Sequence, residues 1–455
     1  MKTDRKPLSG MFWIAAVLLA SVPLLPANPL PGEDAGVLTL EQAIAQAIAN
    51  NREVRISGLE AEKAHEKTQA FRTHFFPTIN FRATGSQQLA PIEFFFRQGV
   101  FGEIDGRPVP SEDTYLSTAR VPTLVLQADV QQPLTQLYRL KLNVKALRKG
   151  EEIARQDVRL KTQDLVKSTK LAYWGIAQAQ SGIRALEETL RLYRELDRLT
   201  QDYLAQEVVL KADALQVQAA LAKTEYDLQC LRDTQATGKE QLNLLLGRDP
   251  MTPFSVEEAP APTTFETDPE AARRTALEQR AEVAKAKLQI EQAELDRRAK
   301  KAEYIPDLGV GLQAMRLINY DEMLPKNMIG LGLVFSWEIW DWGRKKRELG
   351  EKDRTISQAR LALRETSDTV VVDVNDKFRK VRQNRLLLES ARLARETAAE
   401  NLRVVSNRYK VEAALLKDTL QAQSDLENAN NAWRDAVIAF WTARAEFEKA
   451  LGEEK

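Results

Sequence analysis

One cysteine, Cys230, occurs in 455 residues. No intramolecular disulfide can form, and a disulfide-stapled fold is excluded. Cys230 sits in a helical stretch and is expected to be a small, shielded apolar residue. The only histidines are His65 and His74. They fall on different faces of one predicted helix, so they are not metal ligands at i and i+4 spacing, and each reads as a surface or capping side chain. There is no phosphate-cradling glycine loop, no Ser/His/Asp order and no CxxC pair, so no enzyme chemistry, cofactor site or metal site is expected. Net charge is also missing: 65 Lys and Arg balance 65 Asp and Glu. That balance leaves no long-range field to draw the chain onto nucleic acid or an acidic lipid surface. Proline is absent between Pro133 and Pro250 and again after Pro325. Aromatic residues make up only 7%. The mature chain has no apolar run long enough for a transmembrane helix, so any membrane role must come through strands.

What remains is the composition of long packed helices: 44% hydrophobic and 29% charged residues, with abundant Ala, Leu, Glu, Gln, Arg and Lys. At the N-terminus Lys2, Arg5 and Lys6 precede an apolar run from Met11 to Leu25. The run is shorter than a bilayer span and broken by Pro23, so residues 1–35 are read as a secretory signal with its following segment. No Cys follows the run, which argues against a lipid-anchored N-terminus.

The chain repeats itself. Glu53-Val54, Leu59, Ala64 and Phe76-Pro77 match Glu282-Val283, Leu288, Ala293 and Ile305-Pro306 at one constant offset. Asp213, Leu215, Gln216, Gln218, Leu221 and Leu246-Gly247 match Asp418, Leu420, Gln421, Gln423, Leu426 and Leu451-Gly452 at another. Two repeats follow, residues 36–250 and 270–455, joined by a Pro-, Thr- and Glu-rich linker over 251–269. Each reads helix, strand, loop, strand, very long helix, turn, helix.

In the first repeat Thr39 caps a helix with Ala43, Ile44, Ala47 and Ile48 at helical spacing; it pauses at Asn50-Asn51, resumes at Arg52 and is ended by Pro77. The period then changes to two. Strands are predicted over 78–89 and 121–130, with a loop from Ala90 to Arg120 between them, and over 307–317 and 328–339 in the second repeat. Leu124, Leu126, Ala128 and Val130 share one side of a strand, as do Ile329, Leu331, Leu333, Phe335, Trp337 and Ile339. Four strands of about ten residues with one apolar side suit a membrane barrel, with Trp337, Trp340 and Trp342 as an interfacial aromatic girdle in outer membrane lipid. A small soluble sheet packed on helices gives the same alternation.

Four strands cannot close a barrel, and an open edge is not tolerated in lipid. Symmetric oligomerisation solves this, and three chains supply twelve strands. Leu186, Leu190, Tyr193, Leu196, Leu199 and Tyr203 form a coiled-helix seam. A turn near Gln206 to Val209 ends a helix of about 70 residues, roughly 105 Å at 1.5 Å per residue. The helices Leu38–Phe76 and Leu210–Leu246 are each about half as long, so stacked end to end they make a second column of equal height. Asp213 and Asp418 follow the two turns, where an acid caps a helix start. A sharper alternative puts these acids and Tyr409 at the far mouth of a tube, closing it in a ring.

Phe76-Pro77-Thr78-Ile79 with Ile305-Pro306-Asp307-Leu308, then Asp341-Trp342-Gly343, then Arg408-Tyr409 leading to Asp418-Thr419-Leu420-Gln421-Ala422, occur in order. Together they make the chain resemble the TolC-like outer membrane efflux proteins from Leu38 to Gly452. The resemblance implies a mainly α fold with a small β part: a homotrimer with a twelve-stranded transmembrane barrel on a periplasmic α-helical barrel. It implies a passive exit duct docked by a periplasmic adaptor (membrane fusion) protein onto an inner-membrane pump of RND, ABC or MFS type. It carries over Asp418 as an acid ringing the periplasmic aperture, Tyr409 as part of its closing links and Asp213 as the acid on the neighbouring turn. The tips Gln206, Glu207 and Glu412 are the adaptor-docking candidates; the glycine usual in the family is replaced by Gln206 or Glu207 at the first turn and by Glu412 at the second. Gln421 replaces a second ring acid, and Ala414 a linking arginine. A second function class stays open: a periplasmic coiled-coil scaffold or adaptor without a membrane barrel.

Overall fold

The computed structural model describes residues 36–453 except 88, 92, 118–121, 208, 261–266, 320–324, 411, 412 and 414. The secretory signal expected over residues 1–35 lies outside the described residues.

The first half begins with β1 (Val37–Leu38) and α1 (Leu40–Asn50). Thr39 caps α1: its side chain accepts from the Gln42 N–H while the Gln42 side chain accepts from the Thr39 N–H, a reciprocal arrangement that satisfies two otherwise orphaned donors. Asn51 then ends α1 and caps α2 (Arg52–Arg72), accepting from the Glu53 and Val54 N–H groups. A single 3-10 turn, Thr73–Phe75, leads through Pro77 to β2 (Thr78–Gln87). The excursion between β2 and its partner is not a plain loop. It contains β3 (Glu93–Phe96), β4 (Glu103–Ile104), β5 (Arg107–Pro108) and β6 (Thr114–Ser117), paired β3 with β6 and β4 with β5. β7 (Pro122–Pro133) returns to α3 (Gln136–Ala205), and α4 (Lys211–Leu245) follows a tight turn.

The linker carries β8 (Ser255–Val256), which pairs in parallel with β1 and so ties its middle to the N-terminal segment. The second half supplies α5 (Pro269–Gln279), α6 (Ala281–Lys301), β9 (Asp307–Ile318), β10 (Asn327–Ser336), α7 (Arg344–Lys410) and α8 (Leu416–Leu451). Asp268 caps α5, with Pro269 in the first turn, where its missing N–H costs nothing.

At 70 and 67 residues, α3 and α7 are each roughly 100 Å long. α2 lies beside the sheet-proximal part of α3, where His65 Nδ1 meets Glu151 Oε2 at 3.3 Å, and α4 lies beside the distal part, where Arg232 pairs with Glu187 at 2.8 Å. The column is completed where α4 ends on the α1–α2 joint: Asn51 Nδ2 donates to the Leu245 carbonyl at 3.0 Å. Gly247, at φ +71°, sits so close to this joint that an added Cβ would lie 2.3 Å from the Asn50 carbonyl oxygen. In the second half Gly452, at φ +89°, docks against Gln279 and Arg280 in the same way.

The cores lie near these joints. One gathers Ala43, Ala47, Tyr173, Trp174, Ile176, Leu242, Leu246 and Phe254; the other gathers Ala272, Ala276, Val374, Val381, Phe440 and Phe447. Trp441 packs against both. Tyr173 is fully buried and staples the β1–β8 pair to α3, donating to the Leu38 carbonyl at 2.8 Å and accepting from the Glu257 N–H at 3.1 Å. Arg280 bonds Glu282 at 2.9 Å and Asp373 at 2.8 Å, fixing the α5–α6 joint to α7; these partners raise its pKa against the desolvation that opposes them.

Several expectations need correction. Cys230 is exposed in the single chain, because it stands on the face of α4 turned away from α3. In the seam, Leu186, Leu190 and Tyr193 are buried, but Leu199 and Tyr203 are exposed, and toward the turn the buried positions are Thr200, Ala214 and Val217 instead. His74 lies in the 3-10 turn, not on the helix of His65. The strand expected to reach residue 339 stops at Ser336, leaving Trp337 and Ile339 beyond it. Asp341 is the reason: it accepts from the Gly343 and Lys345 N–H groups at 3.0 and 2.8 Å and so starts α7, and these bonds hold its carboxyl below the usual range.

Candidate functional site: the sheet, its aromatic rim and the distal turns

The four main strands form one antiparallel sheet in the order β10-β9-β7-β2. Through the middle of the sheet its register puts like with like, while further out Leu126 pairs with Arg316 and Gln127 with Met315. Ile79, Val130, Leu312 and Leu331 stand in one cross-strand row, and Phe81, Ala128, Ala314 and Ile329 in the next. Leu308, Val310, Leu333 and Phe335 extend the same face. The other face holds the row Asn80, Asp129, Gln313, Gly330 and, beside it, Arg82 and Gln127. There Gln127 Nε2 donates to Asp129 Oδ1 at 3.0 Å, and the Ser86 and Thr123 hydroxyls share a 2.7 Å hydrogen bond. Every residue of β2 and of β10 is exposed. Both edges are therefore bare, and the apolar face has no cover among the described residues.

At the helix end of this sheet the aromatics collect. Trp337, Trp340 and Trp342 are 50%, 73% and 89% exposed, and the last two meet edge-to-face with centroids 5.8 Å apart. Phe76 before β2, Tyr138 after β7 and Tyr304 before β9 are exposed at the same level. They extend the rim beyond the three tryptophans, and their signal in the sequence is an aromatic within a few residues of each strand end. At the far end of the sheet Phe95 meets Tyr115 and Phe96 meets Phe101 with tilted rings, centroids 4.7 and 5.2 Å apart.

The distal turns are built by local bonds. The last residues of α3 lead into Gln206, and Glu207 takes a left-handed φ of +59°, a conformation glycine would adopt without strain. Asp213 accepts from the Leu210 N–H at 3.2 Å, and Asp418 accepts from the Leu415 N–H at 3.3 Å. Both acids thus hold the first turn of a helix, α4 and α8 respectively, and complement its dipole. Tyr409 belongs to the last turn of α7. Glu412 lies outside the described residues. Within one chain the two acids play the same part in two hairpins and make no contact with each other. Among the described residues, no helix is long and apolar enough to cross a membrane, and no His/Cys/Asp/Glu group is arranged to hold a metal.

A sheet with one apolar face and bare edges, mounted on helical hairpins about 100 Å long, defines a class: channels with a β part in a membrane and an α part outside it. The sequence model of the outer membrane efflux protein family matches residues 43–248 and 272–453, and the chain belongs to that family. It is an outer membrane protein that extends into the periplasm. Solved structures show the same fold. The outer-membrane channel OprN is 18% identical, with 91% of this chain and 89% of that one covered and a TM-score of 0.74. The CmeC outer membrane channel of Campylobacter jejuni is 15% identical over 91% and 85%, with a TM-score of 0.75. The open state of the MtrE outer membrane channel of Neisseria gonorrhoeae is 18% identical over 91% and 89%, with a TM-score of 0.70. No curated protein matches the chain in sequence.

Proposed function

We propose that three copies of the chain close into a passive exit duct, with twelve strands in the outer membrane and the helical hairpins forming a periplasmic tunnel. The observation that carries this is the sheet. In its order β10-β9-β7-β2, every neighbour is antiparallel. The two edge strands therefore run in opposite directions, and β2 of one copy can pair with β10 of the next without breaking the pattern. Repetition closes the ring and satisfies the bare backbone groups that lipid cannot. The apolar rows then face acyl chains, the polar rows line the pore, and Trp337, Trp340 and Trp342 lie at the periplasmic interface with their rings in the headgroup layer. A soluble scaffold leaves the uncovered apolar face without a purpose.

The duct has no chemistry of its own. Its distal turns, at Gln206, Glu207 and Glu412, dock a periplasmic adaptor, which couples the duct to an inner-membrane pump of RND, ABC or MFS type. Asp213, Asp418 and Tyr409 narrow the mouth, since three-fold symmetry turns each into a ring. Planar-bilayer recording tests this reading. The purified protein should give discrete channels, and Tyr409→Phe with Asp213→Ala should raise single-channel conductance. Channels of unchanged conductance would remove these residues from the gate, and no channels at all would overturn the duct.

A further inference from the structure

A groove of about 670 Å³ lies between the end of α2 and the start of α3, directly below the first strand. Its cations are Arg72, Lys141, Lys145 and Arg148, and its apolar wall includes Phe75 and Phe76. No carboxylate lines it. Arg72 donates to the neutral Gln69 side chain at 3.1 Å, and among the described residues none of the four cations has an acidic partner within ion-pair distance. In the adjoining groove, between α3 and α6, Lys149 meets Glu152 at 2.8 Å and Glu291 at 3.0 Å. Lys141, Lys145 and Arg148 follow the spacing that places them on one exposed face of α3. Lys145 and Arg148 also border that adjoining groove with Glu152, Glu291 and Glu294, but on the α2 side no carboxylate faces the row, and like charges at that spacing repel, so that side accommodates an anion from outside the chain.

The position says which anion. α3 begins at Gln136, three residues after β7 ends, so Lys141 stands roughly 8 Å and Arg148 roughly 18 Å down the helix. The headgroup layer occupies about 5–8 Å beyond the hydrocarbon on each side, and Lys and Arg stems let the charges reach toward it. Phe76, 68% exposed, lies between the groove and the start of β2. The geometry points to a site for an anionic phospholipid of the periplasmic leaflet, with its phosphate held by Arg72, Lys141 and Lys145 and one acyl chain running over Phe76 onto the sheet. This rests on the sheet lying in the membrane.

The test is native mass spectrometry of the detergent-solubilised wild-type oligomer titrated with phosphatidylglycerol or phosphatidylcholine, with planar-bilayer recording of the same preparation. Phosphatidylglycerol should be retained in preference, one per chain. Lys141→Gln with Lys145→Gln should weaken it roughly thirtyfold, about 2 kcal/mol at about 1 kcal/mol per charge, while Lys145→Arg retains it. A protein that conducts but holds both lipids equally overturns the lipid site and leaves the duct standing. A double variant whose oligomer falls apart while lipid retention by the chain is unchanged shows that a second copy fills the groove, which also overturns the site. A protein that neither conducts nor retains either lipid overturns the membrane reading together with the site.

Discussion

Leu312 and Gln313 are neighbours on β9 and point to opposite faces of the sheet, which makes them a matched pair for locating lipid. Leu312 is mid-strand, opposite Leu331 on one side and Val130 on the other; Gln313 is opposite Gly330 and Asp129. A lysine on the lipid face of a barrel near the bilayer midplane costs about 2–4 kcal/mol. In a three-fold ring Leu312→Lys introduces three such charges, so the cost is roughly 6–12 kcal/mol for the assembly. That is comparable to the whole stability of a typical domain, about 5–15 kcal/mol, so Leu312→Lys should fail to accumulate as a detergent-extracted oligomer in the outer membrane fraction. Gln313→Lys has the same side chain on the same strand and gains Asp129 across the pore face. It should assemble like the wild type, with a thermal midpoint within a few degrees. The assay is outer membrane fractionation followed by thermal dissociation of the purified oligomer. Equal accumulation of the two variants, or selective loss of Gln313→Lys, would refute the assignment of faces.

Three further outcomes follow from the helical part. Tyr173→Phe leaves the Leu38 carbonyl and the Glu257 N–H without their buried partner; it should cost about 2 kcal/mol and speed amide exchange at Glu257, and unchanged exchange there would remove the staple. Gly247→Ala forces a left-handed φ on a residue with a Cβ and pushes it into the Asn50 carbonyl; a loss of about 3 kcal/mol is expected in thermal unfolding, and a neutral result would mean that the joint is loose. Glu427 titrates high because burial disfavours its charge, a push that Lys223 opposes and Asp227 reinforces. The folded state therefore holds this proton more tightly than the unfolded chain. Stability should decline as pH rises from about 4, the ordinary Glu value, through the raised one, and Glu427→Gln should flatten that decline in a series of melting curves against pH.

The helices were legible because their signals are local and long. Proline-free stretches, the Thr39 cap and the Pro77 stop act within a few residues, and the alternation at Ile79, Phe81 and Ala83 continues far enough to name a strand and its face. The β1–β8 ladder was not legible, since two residues have no period. β3 was hidden because Phe94-Phe95-Phe96 is apolar on both faces, and β10 was read too long because its alternation continues through Trp337 and Ile339, which lie between the strand's end at Ser336 and the α7 start set by Asp341. At the distal turns the capping role of Asp213 and Asp418 could be read from their place at helix starts. The basic groove could not, because Arg72 and Lys141 meet only when α2 packs on α3.

The account stands on the bare edges of β2 and β10 pairing between copies, and paired cysteines measure this directly. With Cys230→Ser as background, one cysteine is placed along β2 and one along β10, and the protein is oxidised in its native membrane. Links should form only between chains, at positions stepping along the two strands in antiparallel register, and the products should end at a closed three-chain species. Links within one chain, no links at any register, or a ladder continuing past three chains would contradict the ring.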